Sequence, residues 1–213
     1  MHFLSPILET YIANHSEDEP ELLQELTRET HLKVIQPRMI TGHFQGRVLS
    51  MLSKIIHPKY ILEIGTYTGY SALCLAEGLQ KDGELHTIEV NEELYPMQRR
   101  YFDKSGYGSQ IHQHIGDALD IIPNLPQTFD LVFIDAQKVN YDAYFEAVIQ
   151  KTRPGSIILS DNVLWSGKVV EPLQQSDKAT EALLAYNQKL KEDNRVETVL
   201  LPIRDGLTLS RVL

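Results

Sequence analysis

The sequence predicts an α/β protein: a doubly wound, mostly parallel seven-stranded sheet that ends in an antiparallel hairpin, behind an N-terminal helical leader. Three observations carry this reading. Residues 3–57 show helical spacing only, with acidic caps. From residue 59 short apolar runs alternate with helical segments, the alternation that builds a parallel sheet. The last two apolar runs are separated only by Arg204 and Asp205, too short for a crossover helix, so they must pair antiparallel.

The elements follow in order. In the leader, Pro37 interrupts "KVIQPRMITGHFQGR", and Phe44, Val48, Leu49, Leu52, Ile55 and Ile56 then fall on one helical face. The strands read "KYILEI", "ELHTIEV", "QIHQHI", "FDLVFI", "GSIILS", "RVETVLLPI" and "GLTLSRVL". Helices are expected near 69–80, 94–104, 117–122, 139–152 and 177–193. With no internal repeat, low-complexity tract or linker, residues 1–213 read as a single domain: 1–57 a leader or lid, 58–213 the α/β core.

Composition bounds the function. Apolar residues at 42% and charged residues at 23% are globular values, and no run approaches the roughly 20 apolar residues of a membrane span. The opening "MHFLSPILETYIANHSEDEPE" carries acids early and lacks a basic region followed by an apolar one, so a cytoplasmic location is expected. Cys74, the single cysteine, can form no intrachain disulfide, which agrees with a reducing compartment. The net charge of −9 is spread along the chain with no basic stripe, which disfavours nucleic acid as a partner.

In a doubly wound sheet, ligands bind beyond the carboxyl ends of the strands, normally after the first one. "EIGTYTGYS" falls there: Gly65 permits a tight turn and close approach, and Gly69 lets the next helix start against the ligand. Three residues separate these glycines. That is neither the glycine triplet of a dinucleotide site nor a phosphate loop with its lysine, so a small zwitterionic ligand fits better than a pyrophosphate, with a purely structural turn as the alternative. Glu89 ends the second strand 24 residues after Gly65, where an acid can accept both hydroxyls of a ribose, so an adenosine-containing cofactor is implied. After the third strand, Asp117 and the backbone of Ala118 lie at the same edge, in place to meet an adenine amino group, unless Asp117 serves only as a helix cap.

The fourth and fifth strands end in Asp135 and in Asp161 with Asn162. If those two strands are neighbours, about 4.8 Å apart, these side chains converge within reach of one ion. Two carboxylates and an amide oxygen form a hard, all-oxygen set, suited to Mg²⁺ and unsuited to structural zinc; a loop contact and an ordinary turn are the alternative. Lys138 stands three residues past Asp135 at a helix start, where the helix dipole and a nearby dication disfavour its ammonium form and suit it to accept a proton. A lone lysine at such a place is otherwise simply solvated. Trp165 is placed to wall an aromatic acceptor and Asp205 to reach a substrate hydroxyl; core packing and turn formation are the competing readings. His112 and His114 share a strand face but lack a third ligand in the sequence, and read as ordinary strand residues.

Taken together, "LEIGTYTGYSAL", "GDAL", "FDLVFIDAQKVNY", "LSDNVLWSGKV" and "DGLTLSR" resemble, in order, the motifs of the metal-dependent class I O-methyltransferases related to the catechol and caffeoyl-CoA enzymes, over residues 35–213. The resemblance implies a Rossmann-like methyltransferase fold and S-adenosylmethionine as donor. It places Glu63, Tyr67 and Ser71 near the methionine end, Glu89 on the ribose, and Asp135 at the donor edge as well as on the metal. "MITGHFQG" is similar to the segment that closes over the donor, implying contacts from Met39 and the backbone of Thr41. It also implies a catalytic role for Lys138 and a homodimer. One departure is visible: the caffeoyl-CoA enzymes carry an acid where this chain has Gln137. The expected activity is methylation of a vicinal hydroxyl on a small catechol-like or hydroxycinnamoyl-type acceptor. Methylation of a hydroxylated tRNA base is the alternative, and a nicotinamide oxidoreductase or a non-catalytic binding module fits less well.

Overall fold

The computed structural model describes residues 5–213, so the first four residues of the leader lie outside the described residues. The strands are β1 (Tyr60–Ile64), β2 (Glu84–Glu89), β3 (Ile111–Ile115), β4 (Leu131–Ile134), β5 (Ile157–Asp161), β6 (Val196–Leu201) and β7 (Leu207–Val212). They form one seven-stranded sheet of order β3-β2-β1-β4-β5-β7-β6, the α/β class that the alternation predicts. By compactness the chain divides into two units, 5–117 and Ala118–Leu213.

The first unit holds helices α1 (Pro6–Asn14), α2 (Glu21–Lys33), α3 (His43–Ile56), α4 (Tyr70–Ala76) and α5 (Tyr95–Lys104) with strands β1 to β3. Ser5 caps α1 by accepting from the Leu8 N–H, and Pro6 sits at the first helical position, where its missing N–H costs nothing. Pro37 does break the leader: a single 3₁₀ turn, Pro37–Met39, separates α2 from α3. Gly46 lets α3 approach α4 closely, because a Cβ there would stand 2.6 Å from the Tyr70 ring and 2.9 Å from the Cys74 sulfur. Arg47 and Lys54 of α3 pair with Glu77 just past α4, each at 2.7 Å. Cys74 is fully buried beneath this contact, and burial pushes its thiol up to about 12, so it is inert packing. The α4 helix is shorter than the expected 69–80, ending before Gly78, whose Cβ would collide with the Ser53 backbone.

The second unit holds α6 (Ala118–Ile121), α7 (Tyr141–Ile149), α8 (Lys178–Glu192) and β4 to β7. All of β4 is buried, with Ile158 and Leu159 of β5, and Phe145 and Tyr186 bring α7 and α8 onto that layer. Asp177 caps α8 through the Thr180 N–H. The β4 and β5 strands run parallel, with Ile134 opposite Ser160, while β7 pairs antiparallel with both β5 and β6. The hairpin turn is longer than the two residues expected. Pro202 ends β6 early because it has no ladder N–H, and residues 202–206 make the turn, closed by the Gly206 N–H to the Ile203 carbonyl at 2.9 Å.

Candidate active site

In the first unit the turn after β1 is built around three left-handed residues: Gly65 (φ 99°), Tyr67 (φ 49°) and Gly69 (φ 94°). Gly69 is obligatory there on two counts, since a Cβ would also meet the Phe102 ring at 2.7 Å. Tyr67 is not a glycine, so its conformation is strained and must be held from outside. Its N–H donates to Glu89 Oε2 at 2.7 Å, and its carbonyl accepts from Gln98 Nε2 at 2.6 Å. The other Glu89 oxygen accepts from the N–H groups of Val90 and Asn91, each at 2.9 Å. Glu89 is therefore oriented before any ligand arrives, and its roughly four lone-pair sites keep about one clear of these three donors. A second ligand hydroxyl has to share an oxygen lone pair with a backbone N–H.

The other residues of this unit that the resemblance assigns to the donor sit at different depths. Glu63 is fully buried on β1, accepting from the Thr87 hydroxyl at 2.5 Å, and that hydroxyl also meets Thr66. Ser71 is buried in the first turn of α4, and Thr41 is buried before α3. Met39 is exposed, and the Tyr67 hydroxyl donates to the Gln36 carbonyl at 3.2 Å. The Gly116 N–H donates to the Glu89 carbonyl at 2.9 Å, which carries the exposed Asp117 to the end of β2 within this unit. Ala118, buried, opens α6 in the second unit.

In the second unit the strand ends are joined by a lysine and a tyrosine. Lys138, only 8% exposed, begins a 3₁₀ turn that leads into α7. Its Nζ donates to Asp135 Oδ1 at 3.0 Å and to the Tyr141 hydroxyl at 2.6 Å. Tyr141 in turn donates to the Asp161 carbonyl at 2.8 Å, with the Ile134 carbonyl at 3.3 Å. Burial first, then the negative charges of Asp135 and Asp161, pushes the Tyr141 phenol well above its ordinary value, so it stays a donor. Asp161 is 3% exposed and one of its oxygens accepts from the Asn162 N–H at 2.8 Å. Asn162 itself is left-handed (φ 58°), a conformation asparagine tolerates better than most residues.

Past these residues the backbone strain continues, with Trp165 (φ 47°) and Ser166 (φ 56°) also left-handed. The Ser166 N–H is held by Asp205 Oδ1 at 2.5 Å, so Asp205 serves the backbone of this loop as well as the hairpin turn. Burial raises the Asp205 carboxyl above its ordinary value. The Trp165 ring centre lies 5.9 Å from Lys138 Nζ, and its buried indole N–H has no hydrogen-bond partner. Gln137 is exposed. As ligands for an ion, Asp135, Asp161 and Asn162 fit a hard cation by donor type: two carboxylates and an amide on one strand edge, with the Lys138 ammonium standing as positive charge against Asp135.

Sequence reasoning passed over Tyr141, Gln98 and Thr87. Tyr141 carried a signal, since it follows Lys138 by three residues in a helical segment and so shares its face. Gln98 and Thr87 carried none.

Comparison with known proteins agrees with this architecture. The O-methyltransferase family model matches residues 13–213. A caffeoyl-CoA O-methyltransferase from Zea mays is 38% identical over 91% of this chain and 77% of its own length. Among solved structures, the O-methyltransferase TomG from Streptomyces achromogenes, involved in tomaymycin synthesis and determined in complex with SAM, superposes with a TM-score of 0.89 at 30% identity, covering 97% of this chain and 96% of that one. The O-methyltransferase from Bacillus cereus in complex with SAH gives a TM-score of 0.90 at 27% identity, covering 97% of each chain. The strand order, the glycine turn and a match over nearly the whole chain thus converge, and the chain belongs to the O-methyltransferase family.

Proposed function

We propose that this O-methyltransferase is a single-domain enzyme that uses S-adenosylmethionine and a divalent cation, Mg²⁺ by donor type, to methylate one of two vicinal hydroxyls on a small catechol-like or hydroxycinnamoyl-type aromatic acceptor. The observation that carries it is the arrangement of Lys138 on both Asp135 and Tyr141, with Tyr141 anchored on Asp161. When bound, the donor supplies an electrophilic methyl group and the cation supplies Lewis acidity toward the acceptor oxygen.

This chain's residues do the rest. Glu89 accepts from the ribose, Asp117 and the Ala118 backbone meet the adenine, and Glu63, Gly65, Tyr67 and Ser71 hold the methionine end, with Met39 and Thr41 closing from the leader. Asp135, Asp161 and Asn162 hold the cation. Lys138 acts as base from its neutral amine form: Nζ takes the acceptor's proton and becomes the ammonium that Asp135 pairs, while Tyr141, whose own proton is committed to the Asp161 carbonyl, keeps that nitrogen aimed. Trp165 walls the aromatic ring, and Asp205 fixes the Trp165–Ser166 loop and faces an acceptor hydroxyl. Positioning supplies most of the rate. The same reading makes the enzyme a cytoplasmic homodimer; no helix among the described residues is long and apolar enough to cross a membrane.

A methyl-transfer screen of catechols, hydroxycinnamoyl thioesters and hydroxylated tRNA, with Mg²⁺ and with EDTA, tests the proposal. Turnover of an aromatic diol only with the metal is expected. Full turnover in EDTA, or turnover of tRNA alone, would remove it.

A further inference from the structure

The β2 and β3 strands pair in parallel register with His86 directly opposite His112, and β3 is the edge strand of the sheet. Glu84 stands two residues before His86 and therefore on the same face. Glu84 Oε2 lies 3.2 Å from His86 Nε2 and 3.9 Å from His112 Nε2, and the three ligand atoms all fall within 4.8 Å of one another.

We propose that Glu84, His86 and His112 form a second metal site on this sheet edge, for a borderline divalent transition ion such as Zn²⁺. It shares no residue with the oxygen set at Asp135, Asp161 and Asn162. A tetrahedral zinc ion with bonds of about 2.0–2.2 Å needs its ligand atoms roughly 3.3 Å apart, so the pair Glu84–His86 already has the required spacing. His112, 44% exposed at its side chain and stacked on His86 with ring centroids 4.9 Å apart, has to turn out of that stack to close the set. Two imidazoles and one carboxylate suit zinc, nickel or copper and not magnesium, so the two sets select different ions.

The surroundings fit a ligand role. His114 Nε2 lies 3.0 Å from His86 Nδ1. With an ion on Nε2, the Nδ1–H of His86 donates to His114, the kind of outer contact that fixes a metal-binding tautomer. With no ion the same chain runs in reverse: His114 donates to His86, and His86 donates to Glu84. An ion there ties the edge strand β3 to β2. Glu84 is the first residue of β2 and Glu89 the last, so the site leaves the ribose acid untouched.

Titration of the full-length protein with ZnCl₂ in excess MgCl₂, followed by calorimetry and by the melting midpoint, tests this. The variants are His112→Ala and Glu84→Gln, both at half-exposed side chains and each first checked for intact folding by circular dichroism, His114→Ala, and Asp161→Asn as control. The expectation is one zinc ion per chain, a raised melting midpoint, binding weakened at least ~10-fold in His112→Ala or Glu84→Gln and about 10–100-fold in His114→Ala, and no change in Asp161→Asn. No zinc binding above the magnesium background overturns the proposal. So does an affinity unchanged in both His112→Ala and Glu84→Gln, or one lost in Asp161→Asn and kept in the histidine variants.

Discussion

The two units solve the problem of holding a ligand in opposite ways. In residues 5–117 the key groups are backbone: a turn with three left-handed residues, locked by one carboxylate and one glutamine. In Ala118–Leu213 they are side chains: an ammonium shared between a carboxylate and a phenol, with strained backbone at Asn162, Trp165 and Ser166. A backbone cradle discriminates by shape and by its fixed dipoles. A cluster of ionisable side chains is suited to the place where a proton moves. On the proposed reading most donor contacts fall in the first unit, Ala118 and Asp135 excepted, and the proton transfer falls in the second, and substitutions can break that division.

The largest effect is expected from Asp161→Ala. If Asp161 holds a cation as proposed, several kcal/mol of Lewis-acid stabilisation go with it, so methyl transfer to a catechol should fall to background while calorimetry finds donor affinity within about twofold of wild type. EDTA should reproduce that result. A comparable loss of donor affinity would mean that Asp161 supports the donor site as well as the acceptor. Next comes Lys138→Ala, for which single-turnover rates should drop about 10²–10⁴-fold with Mg²⁺ and donor still bound. Tyr141→Phe removes the hydroxyl that aims Lys138 and satisfies the Asp161 carbonyl, and should show a smaller loss in the same assay. If its rate equals that of wild type, the phenol is a packing residue.

Glu89→Ala should move the other quantity. Charge-assisted hydrogen bonds contribute about 1.5–3 kcal/mol, so donor affinity should weaken tenfold or more, with the rate at saturating donor changed far less. The three N–H groups left behind also loosen the Tyr67 turn. Calorimetry giving an unchanged donor affinity in a folded protein would remove the ribose assignment.

What could be read from the sequence was what is local. The Gly65–Gly69 spacing names a turn because both residues take φ values that favour glycine, Gly69 against the Phe102 ring as well, and strand-end acids can be placed at one edge because parallel strands end together. The hairpin was legible from its short gap, although Pro202 made that gap five residues rather than two. Partners brought in from afar were not legible. Gln98 reaches Tyr67 across 31 residues, and the pairing of His86 with His112 depends on a register that no single strand encodes.

The smallest expected effect lies in the scaffold of the first unit. Glu29 of α2 accepts from Lys33, the Tyr101 hydroxyl and Arg100, at 2.9, 2.7 and 2.7 Å, so α2 is pinned to α5. These contacts, the Lys33 bond foremost, hold its carboxyl at about 2, below the ordinary 4.5. A carboxyl depressed in the folded state adds stability above its unfolded value, and that stability is lost as pH falls from 4.5 toward about 2. Because the group meets solvent, the contribution is about 1 kcal/mol. Glu29→Gln should therefore lower the urea midpoint at pH 7, converge with wild type near pH 2, and leave methyl transfer unchanged. In the second unit Glu146 is held at about 2 by Arg195 and Lys189, so Glu146→Gln should show the same convergence. An equal midpoint difference at both pH values would trace the effect to lost packing, and a change in donor affinity in Glu29→Gln would show that the leader helix reaches the donor cradle as well as supporting it.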